Sequence, residues 1–146
     1  MATATIPKIA PYADVHTDTK GPGDARPTAL QIIKDQNLVG KMTDKVALVT
    51  GCTSGIGVET ARALHETDAR LFITGRDVKK GEEVVREILE KSDIKSEIVL
   101  IELDLGSLAS VRKAAAEILN KTDKLNIIVN NAGNRHPSIS HLISEY

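Results

Sequence analysis

The sequence has few of the features that mark secreted, membrane or nucleic-acid-binding proteins. Its only cysteine is Cys52, so an internal disulfide is impossible and a reducing compartment is favoured. No stretch approaches the roughly 20 apolar residues that span a bilayer, and residues 1–20 lack the apolar core of a secretory signal. The net charge of −1 provides no bulk attraction to nucleic acid or to an anionic membrane surface. We therefore expect a cytoplasmic protein with no transmembrane segment and no nucleic-acid partner.

The composition is that of one ordinary globular domain. The chain has 146 residues, of which 41% are hydrophobic and 27% are charged, enough for a sizeable core. Residues 1–27 contain four of the five prolines and few large apolar side chains, which predicts a flexible N-terminal arm. The folded domain is predicted to begin at Thr28, whose hydroxyl is suited to cap a short helix.

From Val46 onward, short apolar runs alternate with segments of helical periodicity. The predicted strands are residues 46–49, 71–74, 97–103 and 125–129. The predicted helices are residues 56–69, with Ile56, Ala61 and Leu64 facing inward, residues 78–91, and a segment that Ser107 caps. This alternation predicts an α/β fold, a Rossmann-type doubly wound parallel sheet truncated after about four strands in the order 3-2-1-4. Ligands of such sheets bind beyond the carboxyl ends of the strands.

A glycine-rich turn joins the first predicted strand to the first helix. Gly51, Gly55 and Gly57 lie in the pattern G-x-x-x-G-x-G. Glycines permit a tight turn and a close approach of the backbone to a pyrophosphate, while the helix N-terminus offers free N–H groups to the phosphates. The spacing differs from the general dinucleotide fingerprint, G-x-G-x-x-G. The pattern favours nucleotide binding, and the alternative is that the glycines serve the turn alone.

The end of the second predicted strand indicates which dinucleotide is preferred. An acidic residue here would bind the free 2′-hydroxyl of NAD, whereas an arginine accommodates the 2′-phosphate of NADP. Gly75 leaves the acidic position without a side chain, and Arg76 supplies a cation. Asp77 is placed to cap the next helix. We therefore predict NADP, with NAD less favoured; the alternative is that Arg76 is an exposed loop charge.

Three motifs resemble those of the classical short-chain dehydrogenase/reductase family. They are Thr-Gly-Cys-Thr-Ser-Gly-Ile-Gly at residues 50–57, Asp-Leu at 104–105 and Asn-Asn-Ala-Gly at 130–133. The segments at 28–41 and 74–77 are similar to the retinol-dehydrogenase and WW-domain-oxidoreductase-like branch. The resemblance covers about residues 28–133, the N-terminal half of that family's fold. It implies a partial NAD(P)-binding domain over 28–133, followed by a divergent tail over 134–146.

The resemblance also implies a role for eleven cofactor-binding residues. Those that would line the pyrophosphate and the adjoining ribose are Gly51, Ser54, Gly55, Ile56 and Gly57. Arg76 would meet the 2′-phosphate. Those beside the adenine are Asp104 and Leu105, and those beside the nicotinamide ribose are Asn131, Ala132 and Gly133. The alternatives are that Asp104 caps a strand end and that Asn131 bonds only to backbone groups between strands.

The catalytic residues of that family have no counterpart in this sequence. The family uses a serine and a Tyr-x-x-x-Lys pair, in which the lysine lowers the tyrosine pKa from about 10 toward neutrality. Here His16 follows Tyr12 by four positions, and Tyr146 is the last residue. No catalytic residue is therefore assigned, and the isolated chain is expected to be inactive. His136 and His141 lack a surrounding ligand cluster, so no metal site is assigned either.

Three hypotheses follow for the function. The first is an NAD(P)-dependent oxidoreductase that transfers hydride at an alcohol or carbonyl, this chain carrying only the cofactor-binding half. The second is a non-catalytic nucleotide-binding or interaction fragment, or a non-functional truncated product. Under either hypothesis, the far edge of the fourth predicted strand, at residues 127–129, is expected to be exposed and to favour self-association. A sugar-nucleotide epimerase is disfavoured by the glycine spacing.

Overall fold

A computed structural model describes residues 11–133 of the chain. A short 3-10 turn at Ala13–His16 precedes the first helix. The regular elements that follow are α1 (Ala29–Asp35), β1 (Val46–Val49), α2 (Ile56–His65), β2 (Arg70–Gly75), α3 (Val78–Lys91), β3 (Ile98–Glu102), α4 (Leu108–Lys121) and β4 (Ile127–Val129). Residues 1–10 of the predicted arm and the predicted tail 134–146, with His136, His141 and Tyr146, lie outside the described residues.

The four strands form one parallel sheet in the order β3-β2-β1-β4. This confirms the predicted α/β topology, in which the first and fourth strands lie side by side. In register, Val49 of β1 lies between Ile73 of β2 and Val129 of β4. The carboxyl ends of these three strands therefore lie at one edge of the sheet, where the predicted motifs follow them.

Apolar side chains cover both faces of the sheet. On one face, Val49 and Ile73 pack with Ala61 of α2 and Ile88 of α3. On the other face, Phe72 and Ile101 pack with Ala114 of α4. The strand β1 contributes side chains to both faces and is a nearly continuous apolar run. A continuous apolar run is typical of a strand that is buried on both faces. This signal predicted β1 with the bounds that the structure shows.

Two details of α2 differ from the prediction. The helix ends at His65, four residues before the predicted Ala69, because the chain then turns through Asp68 at a φ of 66°. Its first residue, Ile56, was predicted on the inner face but is 79% exposed. The cause is that α2 begins beyond the carboxyl end of β1, so that its first turn extends past the sheet and has no core to face.

The strand β4 forms one edge of the sheet. Within residues 11–133 it pairs only with β1, and Ile128 on it is 56% exposed. The lack of a second partner strand among these residues agrees with the prediction, whereas self-association through this edge stays a prediction. Within the same residues, no helix combines the length and apolar character that a bilayer crossing requires.

A buried histidine at the end of α2 predicts how stability depends on pH. His65 is fully buried, and its Nδ1 lies 3.3 Å from the hydroxyl oxygen of Ser96. Burial lowers the pKa of His65 from its usual 6.5, outweighing the Ile94 backbone and the carboxylates of Glu66 and Asp68, which act in the opposite direction. The folded state therefore binds a proton at this imidazole less readily than the unfolded state does.

Stability is expected to be lost as the pH falls below about 6.5, because the unfolded chain then gains a proton that the folded chain does not. His65 should lower the free energy of unfolding by at most about 1.4 kcal/mol for each pH unit. This loss should stop once the pH is below the folded-state pKa of the imidazole. Urea unfolding at pH 7.5 and pH 5.5 measures it. His65→Leu should reduce the slope, whereas His16→Gln, at an exposed position, should retain it. Equal slopes in wild type and His65→Leu would refute this assignment.

Candidate dinucleotide-binding site

A cleft of about 910 Å³ lies beyond the carboxyl ends of the strands. Its volume falls within the roughly 300–1,000 Å³ typical of small-molecule sites. All of the residues predicted from the sequence to bind a cofactor line this cleft: Gly51, Ser54, Gly55, Ile56, Gly57, Arg76, Asp104, Leu105, Asn131, Ala132 and Gly133. Residues that are up to 82 positions apart are thus brought to one surface by the parallel order of the strands.

The glycine turn is packed so closely that two of its positions require glycine. Gly51 has a φ of 72°, and a Cβ there would lie 2.8 Å from the Ala132 Cα. A Cβ on Gly57 would lie 2.3 Å from the Gly51 carbonyl oxygen and 2.5 Å from the Asn131 Nδ2. The turn therefore brings the start of α2 directly against the ends of β1 and β4.

The helix α2 begins without a side-chain cap. The other helices are capped by Thr28, Asp77 and Ser107, each of which accepts a hydrogen bond from the backbone N–H three residues on. At the start of α2 stands Gly55, which has no side chain to do this. The Val58 N–H donates to the Gly55 carbonyl at 3.2 Å, whereas the N–H groups of Ile56 and Gly57 have no acceptor among residues 11–133 and could bind an anion in the cleft.

Asn131 joins the end of β4 to the glycine turn. Its Nδ2 donates hydrogen bonds to the carbonyl oxygens of Thr50 and Gly51, at 2.9 and 3.1 Å. The neighbouring Ala132 N–H donates to the Thr50 hydroxyl at 3.0 Å. These bonds agree with the structural alternative for Asn131, which holds the two strand ends together at the floor of the cleft.

Arg76 lies at the exposed end of β2. Among residues 11–133 its guanidinium has neither a hydrogen bond nor an ion pair, although Asp77 is next to it in sequence. The Asp77 carboxylate instead accepts from the Lys80 backbone N–H at 3.1 Å and lies 3.9 Å from the Lys80 ammonium. The predicted helix-capping role of Asp77 is thus confirmed, and the positive charge of Arg76 is not neutralised by it.

The loop after β3 forms another wall of the cleft. One carboxylate oxygen of Asp104 accepts a hydrogen bond from the Gly106 N–H at 2.9 Å, and the Asp104 N–H donates to the Ser110 hydroxyl at 3.0 Å. These bonds agree with the capping alternative for Asp104. The next residue, Leu105, is 57% exposed and presents an apolar surface to the cleft. A flat apolar group such as a purine ring suits such a wall.

Sequence reasoning assigned no role to four residues that also line the cleft. They are Thr53, Thr74, Leu103 and Gly106. Thr53 stands within the glycine motif, and the other three lie within two positions of Gly75 or Asp104 in sequence. Their proximity in sequence to the predicted residues could have indicated that they line the cleft. Which of them faces the cleft, however, depends on how the glycine turn packs against β2.

The thiol of Cys52 is part of the core rather than of the cleft. A thiol near a helix N-terminus can have a lowered pKa, whereas burial among apolar groups raises it. The side chain is instead fully buried, with its Sγ 3.3 Å from the Val49 carbonyl oxygen. Burial raises the pKa of Cys52 to about 11, despite an opposing hydrogen bond with the backbone of Thr74. Cys52 is therefore a buried turn residue, and its thiol is not activated.

The described residues include one tyrosine, and it does not line the cleft. The Tyr12 hydroxyl donates to the Asp35 carboxylate at 2.9 Å. Burial of the hydroxyl, followed by this hydrogen bond, raises the pKa of Tyr12, which is the reverse of what a general base near neutrality needs. Across the described part of the chain, no cluster of histidine, cysteine and carboxylate side chains could hold a metal ion.

Comparisons with known proteins agree with this geometry. The family model described as short chain dehydrogenase matches residues 45–145. The short-chain dehydrogenase/reductase prx1 of Penicillium roqueforti is 47% identical over 128 residues, which are 88% of this chain and 36% of that protein. Retinol dehydrogenase 12 of Mus musculus is 46% identical over 90 residues, which are 61% of this chain and 28% of that protein.

Among solved structures, a metagenomic short-chain oxidoreductase in complex with NADP is 36% identical and superimposes with a TM-score of 0.56. The match covers 62% of this chain and 39% of that structure. The chain thus spans about a third of the length of the curated relatives and of this structure that it matches.

Proposed function

The chain belongs to the short-chain dehydrogenase/reductase family, and we propose that its cleft binds a nicotinamide dinucleotide, NADP in preference to NAD. In a whole enzyme this binding would serve hydride transfer at an alcohol or carbonyl, as the motifs of the sequence imply. The chain would then supply the cofactor-binding half of an oxidoreductase. The structure of a similar short-chain oxidoreductase in complex with NADP supports the cofactor class.

The observation that carries the proposal is the uncapped N-terminus of α2 at the floor of the cleft. The residues present suit a pyrophosphate, because Gly55 leaves the first N–H groups of α2 without a side-chain acceptor and the helix dipole is positive there. A side chain on Gly57 would collide with Gly51 and Asn131, so that this close packing depends on glycine. Both features are expected of a phosphate cradle.

The other lining residues divide between the two ends of the proposed ligand. Arg76 would pair with a 2′-phosphate on the adenosine ribose, and Leu105 would lie against the adenine. Asn131 would act by holding the β1 and β4 ends at a fixed distance, and Ala132 and Gly133 would flank the second ribose. A bound nicotinamide supplies or accepts the hydride, and the chain's described residues provide binding and orientation.

A second function is favoured by one feature of the sequence. The 146 residues contain no Tyr-x-x-x-Lys motif. The Tyr12 hydroxyl donates a hydrogen bond to the Asp35 carboxylate, and Tyr12 does not line the cleft. We therefore retain, as the alternative, a non-catalytic nucleotide-binding or interaction role for this chain on its own. The cytoplasmic location of the protein and its self-association through the β4 edge also remain predictions.

Calorimetric titration of the 146-residue chain with NADPH and with NADH tests the proposal. We expect a 1:1 complex with NADPH and at least tenfold weaker binding of NADH, because only NADPH brings a 2′-phosphate to Arg76. No heat of binding with either nucleotide, in a sample that circular dichroism shows to be folded, would reject the proposal. NADPH oxidation with a panel of carbonyl compounds would reject the non-catalytic alternative.

A further inference from the structure

A steric contact links the glycine turn to the end of β2. Gly75 is buried, and a Cβ built on it would lie 2.3 Å from the Cγ2 methyl of Thr53. The same Cβ would lie 3.6 Å from the Thr53 Cβ and 3.7 Å from its hydroxyl oxygen. The methyl alone therefore blocks the space that any side chain at position 75 would have to enter.

The backbones on both sides of this contact are fixed. The Cys52 N–H, next to Thr53, donates to the Thr74 carbonyl at 2.8 Å, which ties the glycine turn to β2. On the other side of β2, the Leu103 N–H donates to the Gly75 carbonyl at 3.0 Å. Since neither backbone segment is free to withdraw, a side chain at position 75 requires the Thr53 side chain to rotate. A β-branched side chain has few alternative rotamers.

Position 75 also has a specific importance for the proposed ligand. It ends the second strand, where an acidic side chain would bind the free 2′-hydroxyl of NAD. We propose that Thr53 is a specificity-determining residue, whose methyl group excludes an acidic side chain from position 75 and thereby leaves the ribose end of the cleft to Arg76. This inference rests on the proposed function, because it assumes that a dinucleotide occupies the cleft.

The side chain of Thr53 is well placed for this role. It lines the cleft together with Thr74, Gly75 and Arg76. Its hydroxyl has no hydrogen-bond partner within residues 11–133, so that no internal bond accounts for a threonine here. Serine would keep the hydroxyl and remove the blocking methyl, whereas valine would keep the methyl and remove the hydroxyl. These two substitutions separate the steric contribution of Thr53 from its polar contribution.

The test combines Gly75→Asp with changes at position 53. Gly75→Asp alone should lower the melting temperature by about 5 °C or more and gain no NADH affinity, because the Thr53 methyl opposes the new side chain. Adding Thr53→Ser should restore most of the melting temperature and raise the NADH affinity about tenfold while weakening NADPH binding. Adding Thr53→Val instead should restore neither. Calorimetric titration and thermal unfolding without nucleotide are the two measurements.

The outcomes distinguish this inference from the proposed function. If wild type binds neither nucleotide, the proposed function fails and the specificity role fails with it. If wild type binds NADPH but Gly75→Asp alone gains NADH affinity without loss of melting temperature, only the role of Thr53 is overturned. Equal rescue by Thr53→Ser and Thr53→Val would also overturn it, because the methyl would then not be the obstacle.

Discussion

Gly57→Ala is expected to lower the affinity for NADPH by about 100-fold or more and to destabilise the fold. A Cβ at this position would lie 2.3 Å from the Gly51 carbonyl oxygen and 2.5 Å from the Asn131 Nδ2. Neither neighbour is the end of a long, flexible side chain, and Asn131 donates two hydrogen bonds to the backbone carbonyls of Thr50 and Gly51, which follow β1. Relief of the clash must therefore move α2 away from the strand ends.

The size of the effect follows from what that movement would disrupt. Overpacking of this kind typically costs about 1–3 kcal/mol of stability. Displacement of the α2 N-terminus would also weaken its hydrogen bonds to a pyrophosphate, and hydrogen bonds to charged groups are worth about 1.5–3 kcal/mol each. The loss of two such bonds amounts to a factor of about 100 or more in affinity.

Gly133→Ala is the matched control for this substitution. Gly133 also lines the cleft, but its nearest neighbour to a new Cβ is the Asn131 carbonyl oxygen at 3.9 Å, an ordinary contact distance. The control should change the melting temperature little. If Gly57→Ala behaves like Gly133→Ala in urea unfolding, or binds NADPH as tightly as wild type in calorimetric titration, close packing at Gly57 is not what shapes the cleft.

The sheet could be predicted from the sequence because its signals are local and strong. The apolar run at Val46–Val49 and the capped, periodic segment at Val78–Lys91 have the bounds that the structure shows. Asp77 and Ser107 were identified as caps because the residue type and the following periodicity agree. Strand order then followed from the alternation of strands and helices, which permits few arrangements.

The failures arise where a residue's environment depends on distant parts of the chain. Periodicity placed Ile56 inward, but a helix that starts beyond the sheet edge has no core under its first turn. The contact between Thr53 and Gly75 joins the glycine turn to the next strand, and no local pattern encodes it.

Arg76→Ala is expected to lower the affinity for NADPH by about 10- to 100-fold and to leave the affinity for NADH within about twofold. The guanidinium of Arg76 has no carboxylate partner among residues 11–133, so binding of a phosphate would not require an internal ion pair to break. A charge-assisted hydrogen bond of about 1.5–3 kcal/mol corresponds to the stated range of affinity. Calorimetric titration of both nucleotides measures the difference.

Two control variants separate a specific phosphate contact from a general electrostatic effect. Arg76→Lys keeps the charge but loses the bidentate geometry, and should retain part of the NADPH preference. Lys79→Ala removes a neighbouring exposed cation of α3 that does not line the cleft, and should change NADPH binding little. Raising the ionic strength should weaken NADPH binding to wild type more than to Arg76→Ala, because salt screens an exposed charge pair. If Arg76→Ala weakens NADH and NADPH equally, the arginine supports the cleft without distinguishing the two cofactors.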